Sequence, residues 1–225
     1  MALIRRFRAA FGDPVLAAVV AALSLFGVAM IYSAGQLDVP DPRAAGAWKM
    51  QLVWLALSAG ALLLVLRIQV RWLEWIAVPA YALGIALLLA TLAIGTGLGT
   101  ARGTRSWIDL GPVMFQPAQF ANLATILMLG RLMGAWREPP RTLWGLWPPV
   151  AVVALPMALV MLQPDLGTAM VFGALLLASL YWAGVPLGIL FLLVSPALGL
   201  LFSFHTLLFS IYMVLLLVFL YLYRA

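Results

Sequence analysis

The sequence predicts an all-α fold, a polytopic transmembrane helix bundle of about eight spans with its N-terminus in the cytoplasm. Of the 225 residues, 66% are hydrophobic and 9% are charged, and the mean hydropathy is +1.12. Soluble domains average about 45–50% apolar and about 25% charged residues, so the composition excludes a soluble globular domain and a disordered chain. The apolar residues form continuous runs rather than alternating patterns, which favours helices over a β-barrel.

Eight apolar runs account for the predicted spans, because a membrane helix needs about 20 mostly apolar residues. The first run, Pro14–Ala34, is too long for a cleaved signal peptide, and no small-residue cleavage site followed by a soluble domain is found. The others cover 48–66, 75–96, 117–134, 146–163, 168–184, 186–203 and 206–223. Short loops join them, and no repeat or low-complexity linker separates them. We therefore expect one transmembrane domain over residues 1–225.

Basic residues predict the orientation, since cytoplasmic loops of membrane proteins are enriched in Lys and Arg. With the N-terminus inside, nine basic residues fall on the cytoplasmic side, namely Arg5, Arg6, Arg8, Arg67, Arg71, Arg131, Arg137, Arg141 and Arg224. Four fall outside, namely Arg43, Lys49, Arg102 and Arg105. The charges are spread along the chain, which excludes a nucleic-acid binder despite the net charge of +6. Cysteine is absent and His205 is the only histidine, so thiolate and His-cluster metal sites are excluded.

Polar residues gather at three places on the predicted outer side, and the first is the loop from Gly95 to Gln119. Glycines at 95, 97, 99 and 103 predict a mobile entry to this loop. Arg102, Arg105 and Trp107 follow, and arginine suits bidentate phosphate binding and stacking on rings. The loop is therefore a candidate to hold a lipid pyrophosphate. The alternative is a solvated pair between an arginine and Asp109.

The second place is the start of the fourth span. Pro117 suits the first turn of a helix, and Gln119 and Asn122 then stand three residues apart on one face. Amides at such positions either bond neighbouring helices or form the wall of a polar cavity. Both interpretations stay open at this point.

The third place is Met161–Met170, which contains Asp165. Pro164 ends the incoming helix, and Asp165 and Thr168 have the character of an N-cap for the outgoing one. An acidic residue at membrane depth is also a functional candidate, and a broken helix carrying an acid is typical of transporter binding sites. His205 receives no function.

Three motifs resemble those of the SEDS family, the RodA/FtsW/SpoVE group. They are YSAG at 32–35, RGTRSWIDLGPVMFQPAQFANL at 102–123 and LQPDLGTA at 162–169, in the family's order and spacing. The resemblance covers roughly residues 1–185. The Trp72-Leu-Glu-Trp75 segment and the lack of a long cytoplasmic insertion make the chain more similar to RodA than to FtsW.

The resemblance implies a peptidoglycan glycosyltransferase of cell-wall elongation in the bacterial inner membrane. Its substrate would be lipid II, a disaccharide-pentapeptide on undecaprenyl pyrophosphate, and its partner a class B penicillin-binding protein. No cofactor is predicted, although a divalent cation is left open for the full-length enzyme. Arg102 or Arg105 and Trp107 match the family's loop, Gln116 and Pro117 its helix start, and Asp165 and Thr168 its second signature.

Two departures from the family pattern matter. Gln119 and Asn122 stand where the family usually has Glu and Lys, so an ion pair has become an amide pair. The family's catalytic Asp stands in an Asp-Pro-x-Gly-x-Gly context within a large outer loop, and no such context occurs here. We therefore expect an N-terminal portion of a longer protein that is inactive by itself, with no catalytic residue identified. The alternatives are a lipid II flippase and a non-catalytic membrane scaffold of the elongation complex.

Overall fold

The computed structural model describes residues 14–36, 42–97, 103–111 and 114–224, and these residues are mostly helical. Two short strands, β1 (Ile108–Asp109) and β2 (Met114–Phe115), pair as an antiparallel hairpin, and a 3-10 turn at Leu143–Leu146 leads into the fifth helix. The eight α-helices are α1 (Pro14–Ala34), α2 (Pro42–Val65), α3 (Val70–Ile94), α4 (Pro117–Gly134), α5 (Trp147–Met161), α6 (Leu166–Trp182), α7 (Leu187–Phe202) and α8 (Thr206–Arg224). The predicted all-α helix bundle is confirmed.

The helices differ in how well they match the thickness of a membrane. Four segments are long and apolar enough to cross one, namely Pro14–Ala34, Gly46–Val65, Val70–Ile94 and Leu143–Met161. The apolar helices α6 and α7 are shorter, and the 17 residues of α6 span about 25 Å against a hydrocarbon core of about 30 Å. The first turns of α4 carry amides, which lower its hydropathy. The described chain is thus a polytopic helical membrane protein.

Contacts divide the chain into two compact units, Met1–Gln69 and Val70–Ala225. In the first unit α1 packs on α2, and the ring of Tyr32 meets the ring of Trp48 edge to face with centroids 5.8 Å apart. The outward side chains of both helices are apolar, as expected for helices that face lipid. The single transmembrane domain remains a prediction.

The core of the second unit is formed by α3, α4, α5 and α6. Leu88, Leu129, Val160, Phe172 and Leu180 are fully buried, and each comes from one of these four helices. Hydrogen bonds from side chains to main-chain carbonyls tie helices together: Tyr81 Oη donates to Val152 O at 2.8 Å. In lipid such bonds join helices without help from the hydrophobic effect.

Small residues bring α3 and α4 close together. A Cβ added at Gly84 would lie 3.3 Å from Ala121 Cα, 3.5 Å from Ala121 Cβ and 3.7 Å from Ala124 Cβ. Small residues at such crossings allow close backbone approach, which supplies the van der Waals contact that holds membrane helices together. This pairing places the start of α4 beside the end of α3.

We expect Gly84→Val to destabilise the second unit by about 1–3 kcal/mol, because the branched side chain would push α4 away from α3. Thermal unfolding of the purified chain in detergent measures the effect. The control is Gly173→Val in α6, where a Cβ would meet nothing within 4 Å. Equal melting temperatures of the two variants would contradict the close α3–α4 contact.

Candidate functional site

The candidate site lies at one end of the second unit. This end is called the polar end. It comprises the end of α3, the loop with β1 and β2, and the first turns of α4 and α6. Pro117 occupies the first turn of α4, as predicted, and Gln116 is its N-cap residue in an extended conformation. Asp165 is the N-cap residue of α6. The two helix starts therefore present their side chains to one region.

A chain of hydrogen bonds joins the starts of α4 and α6 through Asp165. Thr168 donates to both carboxylate oxygens, from its N–H to Oδ1 at 3.0 Å and from its hydroxyl to Oδ2 at 2.9 Å. Gln116 Nε2 donates to Oδ2 at 3.5 Å, and Gln119 Nε2 donates to Gln116 Oε1 at 3.1 Å. Asp165 is half-buried and Gln119 is exposed. The network therefore runs from the interior of the unit to its surface.

The N-cap interpretation of Asp165 is confirmed, since its side chain accepts the N–H of Thr168. Thr168 is not itself an N-cap residue; it donates hydrogen bonds to the carboxylate of Asp165, the N-cap residue. Because both oxygens of Asp165 already accept hydrogen bonds, the carboxylate is oriented by the fold rather than free to turn. Its part in substrate binding remains a prediction.

The loop between α3 and α4 folds back on the end of α3. Thr96 and Trp107 exchange backbone hydrogen bonds of 2.7 and 3.2 Å. A Cβ at Gly95 would lie within 3.0 Å of Thr91 O and Arg105 O, and one at Gly97 within 3.0 Å of Thr104 O. Gly95 and Gly97 thus serve close backbone packing rather than the mobile entry predicted for them. Gly103 adopts a φ of 97°, which favours glycine.

The arginine and tryptophan of the loop are held at the polar end by their backbones. Arg105 is exposed, and its N–H donates to Gln163 O at 3.3 Å, while Trp107 is half-buried. Arg102 lies outside the described residues. In the described part of the loop Arg105 forms no ion pair with Asp109, whose Oδ1 instead accepts the N–H of Gly111 at 2.8 Å. The guanidinium of Arg105 is therefore presented to the surroundings.

Gln119 and Asn122 do not form the amide pair that their spacing suggested. Gln119 is exposed and bonds Gln116, whereas Asn122 is 8% exposed and points into the bundle. Among the described residues Asn122 Oδ1 and Thr125 Oγ1 are buried without a hydrogen-bond partner. A separation of three residues leaves the two side chains about 60° apart around the helix, so the boundary between its buried and exposed faces passes between Gln119 and Asn122.

Sequence reasoning missed Gln163, which ties the site together. It is 1% exposed, and its Nε2 donates to Leu88 O of α3 at 3.2 Å. The main-chain carbonyl of Gln163 accepts the N–H of Arg105. Gln163 therefore connects the loop, α3 and the segment before Asp165. The only signal in the sequence was its place before Pro164 in the second signature. The Nε2 of this buried amide thus finds a backbone partner far away in sequence, whereas its Oε1 is buried without a hydrogen-bond partner among the described residues.

Comparison with known proteins now identifies the family. The family model described as "Cell cycle protein", for FtsW, RodA and SpoVE, matches residues 14–224. The chain belongs to this family. The match includes every described residue of the polar end.

Individual family members agree with this result. A probable peptidoglycan glycosyltransferase FtsW of Trichlorobacter lovleyi is 32% identical over 185 residues, which cover 80% of this chain and 48% of the relative. The crystal structure of the rod shape determining protein RodA of Thermus thermophilus has a TM-score of 0.68 at 30% identity, covering 84% of this chain and 59% of that one. The chain thus spans about half the length of these relatives.

A second similar structure is a chain in a solved peptidoglycan synthase complex that coordinates polymerization and crosslinking. Its TM-score is 0.61 at 30% identity, and the alignment covers 71% of this chain and 44% of that one. Family membership and helical fold are therefore shown by sequence and structure alike.

The polar end does not resemble a metal centre. Among the described residues no three His, Cys, Asp or Glu side chains group closely enough to hold a metal ion. The carboxylate oxygens of Asp165 are used by Thr168 and Gln116, and Asp109 bonds its own turn. The described residues therefore provide no multi-carboxylate site for the divalent cation that the sequence left open.

Proposed function

We propose that this chain forms the substrate-binding part of a peptidoglycan glycosyltransferase that polymerises lipid II. The observation that carries the proposal is that described residues of the second and third family motifs, at 102–123 and 162–169, meet at the polar end. Gln163 connects the Arg105–Trp107 loop to the segment that orients Asp165. The similarity to a protein named as a probable peptidoglycan glycosyltransferase supports the chemical class.

The exposed guanidinium of Arg105 would hold the pyrophosphate of lipid II. Arginine matches phosphate oxygens in a bidentate fashion, and its charge would stabilise the undecaprenyl pyrophosphate as it leaves. Trp107, two residues further along the loop, is half-buried, and its ring would contact the substrate next to this site. The position of the Arg105 guanidinium matters, because a misplaced donor loses most of its effect on a developing charge.

The amides of Gln116 and Gln119 would contact the sugar or peptide portion of the substrate. Gln119 is exposed, and its bond to Gln116 leaves its carbonyl as an acceptor. Asp165 would orient these amides rather than remove a proton, since Thr168 and Gln116 occupy its oxygens. A general base for the attacking sugar hydroxyl is still required, and the sequence contains no Asp-Pro-x-Gly-x-Gly context to provide one.

The proposal extends to the partner, the membrane and the role. A class B penicillin-binding protein is the proposed partner, which the likeness to a chain of a peptidoglycan synthase complex supports. The bacterial inner membrane is the proposed location, with the polar end outside, as the distribution of Arg and Lys indicates. A role in cell-wall elongation is proposed from the Trp72–Trp75 segment and from the likeness to the RodA structure. The similarity to FtsW does not favour this role over others.

We expect the purified 225-residue chain to bind lipid II in detergent without forming glycan polymer. Arg105→Gln should weaken binding about tenfold, because a charged contact to the pyrophosphate is lost. Arg141→Gln is the control, since Arg141 is an exposed arginine outside the polar end. Binding by fluorescence titration and product length by gel electrophoresis are the measurements.

Other outcomes would decide against parts of this proposal. Glycan polymer made by the chain alone would overturn its assignment as a binding part only. Equal affinities of Arg105→Gln and Arg141→Gln would remove the pyrophosphate site. Transfer of labelled lipid II across vesicle membranes without polymer would favour the flippase alternative.

A further inference from the structure

The opposite end of the second unit carries a groove that the polar end does not explain. This end of the unit, where α3 begins and α4 ends, is called the basic end. A cavity of about 480 Å³ lies between the two helices, and its walls include Val70, Leu73, Ile126, Leu127 and Gly130. A neighbouring cavity of about 280 Å³ is lined by Glu74, Trp75 and Arg131. Because Glu74 and Arg131 also line the larger cavity, the two form an apolar slot with a charged mouth.

The two charged side chains at the mouth are not joined in an ion pair. Arg131 Nη1 donates to the main-chain carbonyl of Glu74 at 2.8 Å, which fixes the guanidinium in place with one of its five donors. In the part of the chain that the structure describes, the Glu74 carboxylate forms no ion pair with Arg131. Both side chains are exposed. The mouth therefore offers one positive and one negative group to the same ligand.

An aromatic ring completes the negative side of the mouth. Trp75 is 70% exposed and lines the smaller cavity together with Glu74. A carboxylate beside a tryptophan face suits an ammonium group, since the ring attracts cations and the carboxylate accepts their hydrogen bonds. The guanidinium of Arg131 suits a phosphate. Exposed tryptophans at helix ends are common at membrane interfaces, which puts this mouth at the depth of lipid head groups.

We propose that this groove binds a glycerophospholipid with a zwitterionic phosphoethanolamine head group. The phosphate would bond Arg131, the ammonium would bond Glu74 and face Trp75, and an acyl chain would fill the slot between α3 and α4. A head group with negative charge alone fits less well, because the carboxylate of Glu74 would repel it. The mouth lies about 30 Å along α3 from the polar end, so this site is separate from the proposed lipid II site.

Native mass spectrometry of the delipidated full chain tests the proposal with phosphatidylethanolamine and phosphatidylglycerol as probes. We expect about fivefold stronger retention of phosphatidylethanolamine. Glu74→Gln should abolish this preference, and Arg131→Gln should lower retention of both lipids about fivefold. Glu138→Gln and Arg137→Gln are matched controls, since both residues are exposed and line neither cavity.

The results separate this site from simpler explanations. If Glu74→Gln retains the same lipid preference as Glu138→Gln, the ammonium site is wrong. If phosphatidylglycerol is retained more strongly, an anionic lipid site replaces the proposed one. If Arg131→Gln fails to fold, Glu74→Gln still tests the ammonium site. The Glu74 carboxylate makes no ion pair with Arg131, so its removal leaves Arg131 in place.

Discussion

Gly95→Ala should lower the free energy of unfolding by about 3 kcal/mol, because a methyl group has no space between the end of α3 and the loop. Its Cβ would lie within 3.0 Å of Thr91 O, Arg105 O and Thr91 Cγ2. Two of these atoms belong to the backbone, so relief requires moving the loop. The hydrogen bonds between Thr96 and Trp107 would be lost with that movement.

Thermal unfolding in detergent and hydrogen exchange of the segment around Trp107 measure this effect. Gly60→Ala is the control, since a Cβ at Gly60 of α2 meets nothing within 4 Å and alanine favours helix. We also expect the lipid II affinity of Gly95→Ala to fall, because Arg105 would shift. Wild-type stability and wild-type exchange in Gly95→Ala would contradict the close packing of the loop.

Asp165→Ala should destabilise the chain by about 2 kcal/mol. It removes the N-cap of α6, and it leaves Gln116 Nε2 without its acceptor. The residue also orients the amides proposed to contact the substrate, so lipid II binding should weaken as well. Thermal unfolding and fluorescence titration measure the two effects separately.

Asp165→Asn distinguishes the cap from the charge. Asparagine caps helices about as well as aspartate, but its Nδ2 only donates and cannot accept the hydrogen bond from Gln116 Nε2, so the loss of stability should be about 1 kcal/mol, half of that in Asp165→Ala. His205→Ala is the control, since His205 is exposed and surface substitutions change stability by about 0.5 kcal/mol or less. Equal stability and equal lipid II binding of Asp165→Ala and His205→Ala would contradict the central place of Asp165.

Much of the helical fold could be predicted because its signals are local. The predicted runs at 14–34 and 117–134 coincide with α1 and α4, where Pro14 and Pro117 mark the first residue of each helix. The runs at 168–184 and 186–203 lie within two residues of α6 and α7. The cap at Asp165 was also readable, because a capping side chain reaches only to the next turn.

The candidate site could be predicted only in part. Asp165, Thr168 and Gln119 were named from the sequence, and the structure joins them through Gln116. The pairing of Gln119 with Asn122 was wrong, because one faces outward and the other inward. The predicted mobility at Gly95 and Gly97 is wrong, because these glycines allow close backbone packing between distant segments, which leaves no pattern in the sequence.

By itself the sequence determined that the protein is a helical membrane protein. It also determined the number and order of the helices and the three places where polar residues gather. These properties depend on hydropathy and on contacts within one helical turn, which the order of residues displays directly. Only the tertiary structure decided that Gln163 links Leu88 to Arg105, and that Glu74 and Arg131 share one groove. Such contacts join residues far apart in the chain, and they depend on the packing angles and rotations of whole helices.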